Sequence, residues 1–193
     1  ELGQRMSELE SKEAELRQAE KLSRIQRDLA LTLASTSGLE TACGLLLASA
    51  VGIDPIDSGG VYLVDSGSGE LSLISHKGLS KWFVDRVSHY GSESAEAKVV
   101  TDGKALYWSI AGGFAEGEDH LVREGLRALA VLPVSFEGRV VAVLNLASHT
   151  TSVIPAGTRR IIETIAAQIG GIVTRVQAEK ALEKSTNTLH AVF

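Results

Sequence analysis

Two stretches of this chain, Ala128 to Phe136 and Arg139 to Ala147, are almost continuously apolar and are separated only by Glu137-Gly138. Each has the length of a strand, and the Glu-Gly spacer has the chemistry of a tight antiparallel turn. Strands that are apolar on both sides need cover on both faces. This pair therefore requires a layered fold, with helices on one face of a sheet and helices or a ligand pocket on the other.

The neighbouring segments supply those layers. Val61-Tyr62-Leu63-Val64, the turn residues Asp65 to Gly69, and Leu71 to His76 read as a hairpin. A helix is expected from about Ser80 to His89, with Trp82, Phe83 and Val87 on one side, and a short one from Leu121 to Leu126. The stretch 91–118 carries acidic residues without period and reads as irregular loop at the rim of the fold. Upstream, Leu22, Ile25, Leu29 and Leu33 form one apolar helical face. After a break at Ser37-Gly38, Leu39, Ala42, Leu45, Leu46 and Ala50 form a second, which ends near Gly52 before the Asp54-Pro55 loop.

Both ends carry longer helical patterns. Leu2, Met6, Leu9 and Leu16 stand among dense charges in coiled-coil spacing. Ile162, Ile165, Ile169, Ile172 and Val176 form a second seam, continued after a change of phase by Leu182 and Leu189. Part of that seam, Ile161 to Ile172, is expected to cover the sheet as well. The helix would begin near Gly157 and run for roughly thirty residues, about 45 Å. The expected division is a coiled-coil or linker helix over 1–21, one domain over 22–178, and a C-terminal signalling helix over 179–193. The polar surroundings of the end segments favour pairing with an identical helix, hence a homodimer. The chain's first and last residues fall inside helical patterns, as expected for a piece of a longer protein.

Composition narrows the partners. The chain has 193 residues, 44% of them hydrophobic and 22% charged, which suits one domain plus extensions. A net charge of −5 without a dense basic patch, and only 5% aromatic residues, argue against nucleic acid. No apolar run approaches the roughly eighteen residues of a membrane span, so no membrane contact is expected. A single cysteine, Cys43, on a helix expected to face the core, excludes an internal disulfide framework and suits a reducing cytoplasm. The five histidines lack the spacing of a helical or hairpin metal site, and no metal is expected.

Three motifs in order carry a family resemblance. They are Glu124-Gly125-Leu126-Arg127 leading into the Val131-Leu132-Pro133-Val134 strand end, the Val143-Leu144-Asn145-Leu146 strand, and Ile165-Ala166-Ala167-Gln168-Ile169. With the Gly60-to-Asp65 strand and the His76-Lys77-Gly78-Leu79-Ser80 turn, this series resembles the GAF domain family of small-molecule sensor modules. The resemblance covers about Leu22 to Ala178. It implies an α+β fold, with an antiparallel sheet of roughly five to six strands, terminal helices on one face, and a roof of short helices and loops over a pocket on the other. The tail Ala181-Leu182-Glu183-Lys184-Ser185 with Leu189 resembles the signalling helix that leads into PAS or kinase domains of bacterial sensors.

The resemblance also implies a pocket between sheet and roof. If Gly60 lies on the pocket side, strand alternation puts Tyr62 and Val64 beside it. By analogy Val143 and Asn145 share that face, and His76, Trp82, Phe83 and Tyr107 complete the candidate pocket. Asn145 is an amide on an apolar strand, which either bonds neighbouring backbone or reads a ligand. The aromatics Tyr62, Trp82, Phe83, Tyr107, Trp108 and Phe114 either fill a core or line a pocket for a small ligand. Relatives that hold haem through one histidine make His89 or His120 the positions to inspect, although nothing else in the sequence signals a haem slot. No cofactor is expected.

Catalytic readings are weaker. Covalent bilin attachment needs a cysteine near the roof, and Cys43 is too early in the chain. Methionine sulfoxide reduction by relatives needs two or three cysteines, and one cannot form the resolving disulfide. The dispersed Asn-Lys-Phe-Asp-Glu signature of cyclic-nucleotide binders has no match. No phosphate-binding Gly-rich loop, Gly-x-Ser-x-Gly elbow or paired-histidine motif is present, and His190 lacks a phosphoacceptor context. The expected role is a non-catalytic sensory module of a bacterial signal-transduction protein, such as a sensor histidine kinase of a two-component system. It would bind an unknown small molecule and pass its state through dimeric helices to an output domain. A ligand-free dimerisation spacer is the alternative, followed by an enzyme of unknown type.

Overall fold

The computed structural model describes residues 12, 39–110 and 119–190. The chain divides into two compact units, Glu1–Thr36 and Ser37–Phe193. Apart from Lys12, the described residues belong to the second unit. The N-terminal seam, the helical face over 22–33 and Phe114 lie outside them.

The elements, in chain order, are α1 (Leu39–Val51), β1 (Ser58–Val64), β2 (Leu71–Lys77), α2 (Lys81–Val87), β3 (His89–Tyr90), α3 (Ala95–Asp102), β4 (Leu106–Ser109), α4 (Asp119–Glu124), β5 (Ala128–Phe136), β6 (Arg139–Ser148) and α5 (Ala156–His190). Six strands form one antiparallel sheet in the order β3-β2-β1-β6-β5-β4. The two apolar strands β5 and β6 thus lie inside it, as their double-sided hydrophobicity demands.

Local chemistry fixes the turns. Asp65 Oδ1 accepts from the Gly67 and Ser68 amides at 3.0 and 2.7 Å, which folds the β1–β2 connection, and these bonds hold its carboxyl below the usual range. Glu137 and Gly138 both have positive φ, 48° and 78°, as a two-residue hairpin between twisted strands requires. Ser80 caps α2 by accepting from the Phe83 amide at 3.2 Å. The Ser80 amide and hydroxyl also donate to the Glu124 carboxylate at 2.6 and 2.5 Å, which ties α2 to α4.

The sheet separates two apolar layers. On one face α1 and α5 pack against the strands and each other. Cys43, Leu46 and Leu47 of α1 and Ile162, Ile165, Ile169 and Val173 of α5 are buried there. Those α5 residues follow the helical period and are consumed by the domain's own core. The other face carries Tyr62, Val131, Val143, Leu129 and Ala147 in one cluster with Phe83 and Val87 of α2, Val99 of α3 and Leu121 of α4. This is the roofed layer.

Three expectations change. The stretch 91–118, read as irregular, contains α3 and β4. Ser94 caps α3 by accepting from the Ala97 amide at 3.1 Å, and Gly103 closes it in the left-handed conformation. The helix expected over Ser80 to His89 stops at Val87 because His89 and Tyr90 pair with Ser72 and Leu71 as an edge strand. The short helix expected over Leu121 to Leu126 sits at Asp119–Glu124, since Gly125 takes a φ of 85° and ends it. No helix among the described residues is long and apolar enough to cross a membrane.

Candidate functional site

Between the sheet and the roof lies a small cavity. β1 contributes Gly59, Gly60 and Tyr62, β6 contributes Asn145 and Ala147, and β5 contributes Leu129. The edge strand β3 adds Tyr90, and the roof side is made by Leu79, Phe83, Glu96, Leu121 and Leu126. The space open to the centre of a water molecule is about 20 Å³, enough for roughly one water with the roof closed.

Backbone register brings the strand residues together. Gly60 pairs with Asn145 and Asn145 with Val131, so the amide sits at the centre of three hydrogen-bonded strands. Gly59 is required next to it: a Cβ there would stand 2.5 Å from the Asn145 carbonyl oxygen. Asn145 is 8% exposed, and its side-chain Oδ1 is buried without a hydrogen-bond partner. Leaving a buried acceptor unpaired costs roughly 1–3 kcal/mol. The sequence alternative in which this amide bonds neighbouring backbone does not describe its oxygen.

The remaining polar groups approach from the side of β3 and α3. Tyr62 and Tyr90 lie 5.4 Å apart between ring centroids, tilted by 52°. Burial pushes both phenols well above their ordinary range, so both stay protonated. The described lining thus holds two neutral phenols, one carboxylate and one amide against apolar walls. Among the described residues that line the cavity there is no lysine, arginine or histidine.

Of the residues expected at the pocket, the structure brings together Gly60, Tyr62, Phe83 and Asn145. Val143 is fully buried under the roof but does not border the cavity, and Val64 packs at the edge of the same cluster. His76 pairs with Gly60, one residue beyond the bulge at Ile74, yet it is exposed and does not border the cavity. Trp82 is on the outer side of α2, 38% exposed, with the Arg123 guanidinium 4.0 Å from its ring. Tyr107 belongs to the opposite face: its hydroxyl donates to Glu163 of α5 at 2.6 Å and Arg159 stacks on its ring.

The two histidines considered for haem also stand apart. His89 is exposed, 4.0 Å from Glu70, and the half-buried His120 stacks on Phe83 without bordering the cavity. No cluster of metal-binding side chains occurs among the described residues. Sequence reasoning missed Gly59, Leu79, Tyr90, Glu96, Leu121, Leu126, Leu129 and Ala147. Ala147 follows from Asn145 by strand alternation and Leu129 from its pairing with Ala147, whereas Glu96 was signalled only by the Ser94 cap.

Cys43 lies in the helical layer, across the sheet from the cavity, and is fully buried. Burial pushes its thiol up to about 11, so it is protonated at neutral pH. The native chain is expected to leave Cys43 unreacted with Ellman's reagent and to yield one thiol per chain in guanidinium chloride. Rapid reaction of the native chain would show that α1 leaves the sheet.

Comparison with curated protein sequences finds no match. Solved structures do share the architecture. A GAF domain from a phosphoenolpyruvate-protein phosphotransferase of Coxiella burnetii superposes with a TM-score of 0.70 at 16% identity, covering 84% of this chain and 98% of that one. A domain of a two-component sensor histidine kinase protein, given as putative, from Sinorhizobium meliloti has a TM-score of 0.63 at 21% identity, covering 77% and 99%. The free methionine-R-sulfoxide reductase of Neisseria meningitidis, solved with its substrate, has a TM-score of 0.65 at 14% identity, covering 82% and 91%. At these identities the likeness is one of fold. The sequence profile described as GAF domain matches residues 36–174, most of the chain, and with the six-stranded roofed sheet it makes this chain a member of the GAF domain family.

Proposed function

We propose that this chain is a non-catalytic sensory module of a bacterial signalling protein, which binds a small molecule between sheet and roof and relays the bound state through α5. The observation that carries this reading is the buried, unpartnered Asn145 amide oxygen at the cavity wall. A core with a purely structural task gains nothing from such a group, whereas a binding site gains a fixed acceptor. The ligand enters when the roof lifts from the sheet. Its binding energy then biases two roof positions, in the range of about 1–3 kcal/mol typical of coupled sites.

The relay rests on α5, which packs on β5 and β6 and continues to His190. Pairing of two such helices would make the module a homodimer with its output beyond the C-terminal end. Cytoplasmic placement suits the lone thiol. Reductase relatives share the fold, but this chain has one cysteine, and that cysteine lies across the sheet from the cavity. The small size of the closed cavity favours the ligand-free spacer as the second reading.

Native mass spectrometry of the purified chain, before and after denaturation, separates the two. Sensing predicts a dimer that retains or takes up a small mass, and a bare dimer indifferent to every added metabolite would leave the spacer. Inserting one residue between Val176 and Leu182 in the parent protein should disrupt output; unchanged output would remove the helical relay.

A further inference from the structure

Among the described residues two buried side-chain oxygens lack a hydrogen-bond partner, Asn145 Oδ1 and Gln168 Oε1. Gln168 belongs to α5, and only Asn145 borders the cavity. The wall around it is largely apolar, with Leu79, Phe83, Leu121, Leu126 and Leu129. Glu96 borders the cavity too but is already engaged within the protein, so the acceptor that a ligand meets unpaired is the Asn145 oxygen.

A single open acceptor in an apolar wall discriminates between ligand classes. An amide oxygen accepts and cannot donate, so the ligand has to bring an N–H or O–H. An ionised carboxylate brings no donor, and it would lose its hydration without a lysine, arginine or histidine among the described lining residues. An ammonium group brings three donors, more than one oxygen serves, and those left over are unpaired in apolar surroundings. An uncharged molecule with one donor and an apolar body leaves nothing unpaired on either side. Phe83, Tyr62 and Tyr90 also border the space, and their ring faces suit a flat body. Such a body exceeds the one water that about 20 Å³ admits, so it enters only with the roof lifted, which couples binding to roof position.

We infer that the roofed cavity selects a small, uncharged, ring-sized molecule with a single N–H or O–H donor, which bonds to Asn145 Oδ1 while its apolar body packs against Phe83 and the leucines. This deepens the sensing reading and rests on it.

The test changes one group on a constant ring. The isotope-labelled full chain is titrated with pyrrole, furan and pyrrolidinium at fixed pH and ionic strength, while the amide resonances of Gly60 and Asn145 are followed. Pyrrole and furan are nearly equal in shape and differ in the N–H; pyrrolidinium adds the charge. Pyrrole is expected to move both resonances in a saturable way, roughly in the millimolar range for so few atoms. Furan should bind at least about tenfold more weakly, because it leaves the buried oxygen unpaired, and pyrrolidinium should also bind more weakly than pyrrole. Asn145→Leu should bring pyrrole and furan to within about twofold of each other, since the coupling between donor and amide is then gone. Furan or pyrrolidinium binding as tightly as pyrrole, or a pyrrole advantage that survives Asn145→Leu, would overturn the assignment while leaving sensing intact. No saturable shift with any of the three, the result expected of an oxygen served by a trapped water, would overturn it as well. If Asn145→Leu in the parent protein then also leaves output unchanged, the sensing reading falls with it.

Discussion

Replacing Asn145 with leucine is expected to make this fold more stable by about 1–2 kcal/mol, against the usual direction for a buried substitution. The native amide oxygen is buried without a partner, and its desolvation is uncompensated in the closed form. Leucine removes that penalty, and the adjoining cavity of about 20 Å³ helps to accommodate its larger volume. Near the transition the gain corresponds to a rise of roughly 2–4 °C per kcal/mol for a domain of this size. The same substitution removes the fixed acceptor, so response to ligand should disappear while stability increases. Thermal unfolding read beside ligand titration checks both halves. A loss of stability above about 1 kcal/mol would mean the amide has a structural partner in solution, and the case for a site at Asn145 would fail with it.

That opposition between local stability and use explains why the site was only partly readable. β5 and β6 were plain because both of their faces are buried, and Asn145 was conspicuous on them as a polar interruption. Gly60 and Tyr62 follow from Asn145 through sheet register, which alternation preserves. The errors lie where alternation or its helical counterpart is broken. Trp82 and Phe83 are neighbours, about 100° apart around a helix, and of α2 Phe83 and Val87 are the buried residues. The bulge at Ile74 shifts the phase of β2, and His76, although paired with Gly60, is exposed. β4 is a short, half-exposed edge strand with little hydrophobic signal, so Tyr107 had no face assigned before the fold was known.

Glu96 and Tyr90 illustrate a different limit. Tyr90 comes from the edge strand β3 and Glu96 from the roof helix α3, both separated by many residues from Asn145, and only tertiary packing sets them around one space. The serine cap and the helix formers after it announce α3. They do not say which strand α3 covers. The helical seam was legible as a pattern but ambiguous in purpose. The structure uses Ile162, Ile165, Ile169 and Val173 for the domain's own core, so any pairing between chains has to use other residues.

The two adjacent glycines of α5 are expected to respond in opposite directions to the same change. Gly170 faces Ser135 of β5 so closely that a Cβ would collide with the Ser135 carbonyl, with its carbon 3.1 Å away, and with no flexible side chain to yield. Gly171, one position on, is exposed and has nothing within 4 Å of its would-be Cβ. Alanine is the better helix former by about 1 kcal/mol at either position. At Gly171 that preference acts alone, and Gly171→Ala should stabilise by about 0.5–1 kcal/mol. At Gly170 overpacking against backbone costs about 1–3 kcal/mol or more and outweighs it, so Gly170→Ala should destabilise by about 2 kcal/mol and Gly170→Val further. Denaturant unfolding of the two alanine variants is a controlled pair, since composition and helix are shared. Equal effects would show that α5 does not bear on β5 at Gly170. The predicted split would locate the closest contact between the helix and the sheet whose other face carries Asn145, and Gly170→Ala should then also weaken transmission of a ligand signal to α5.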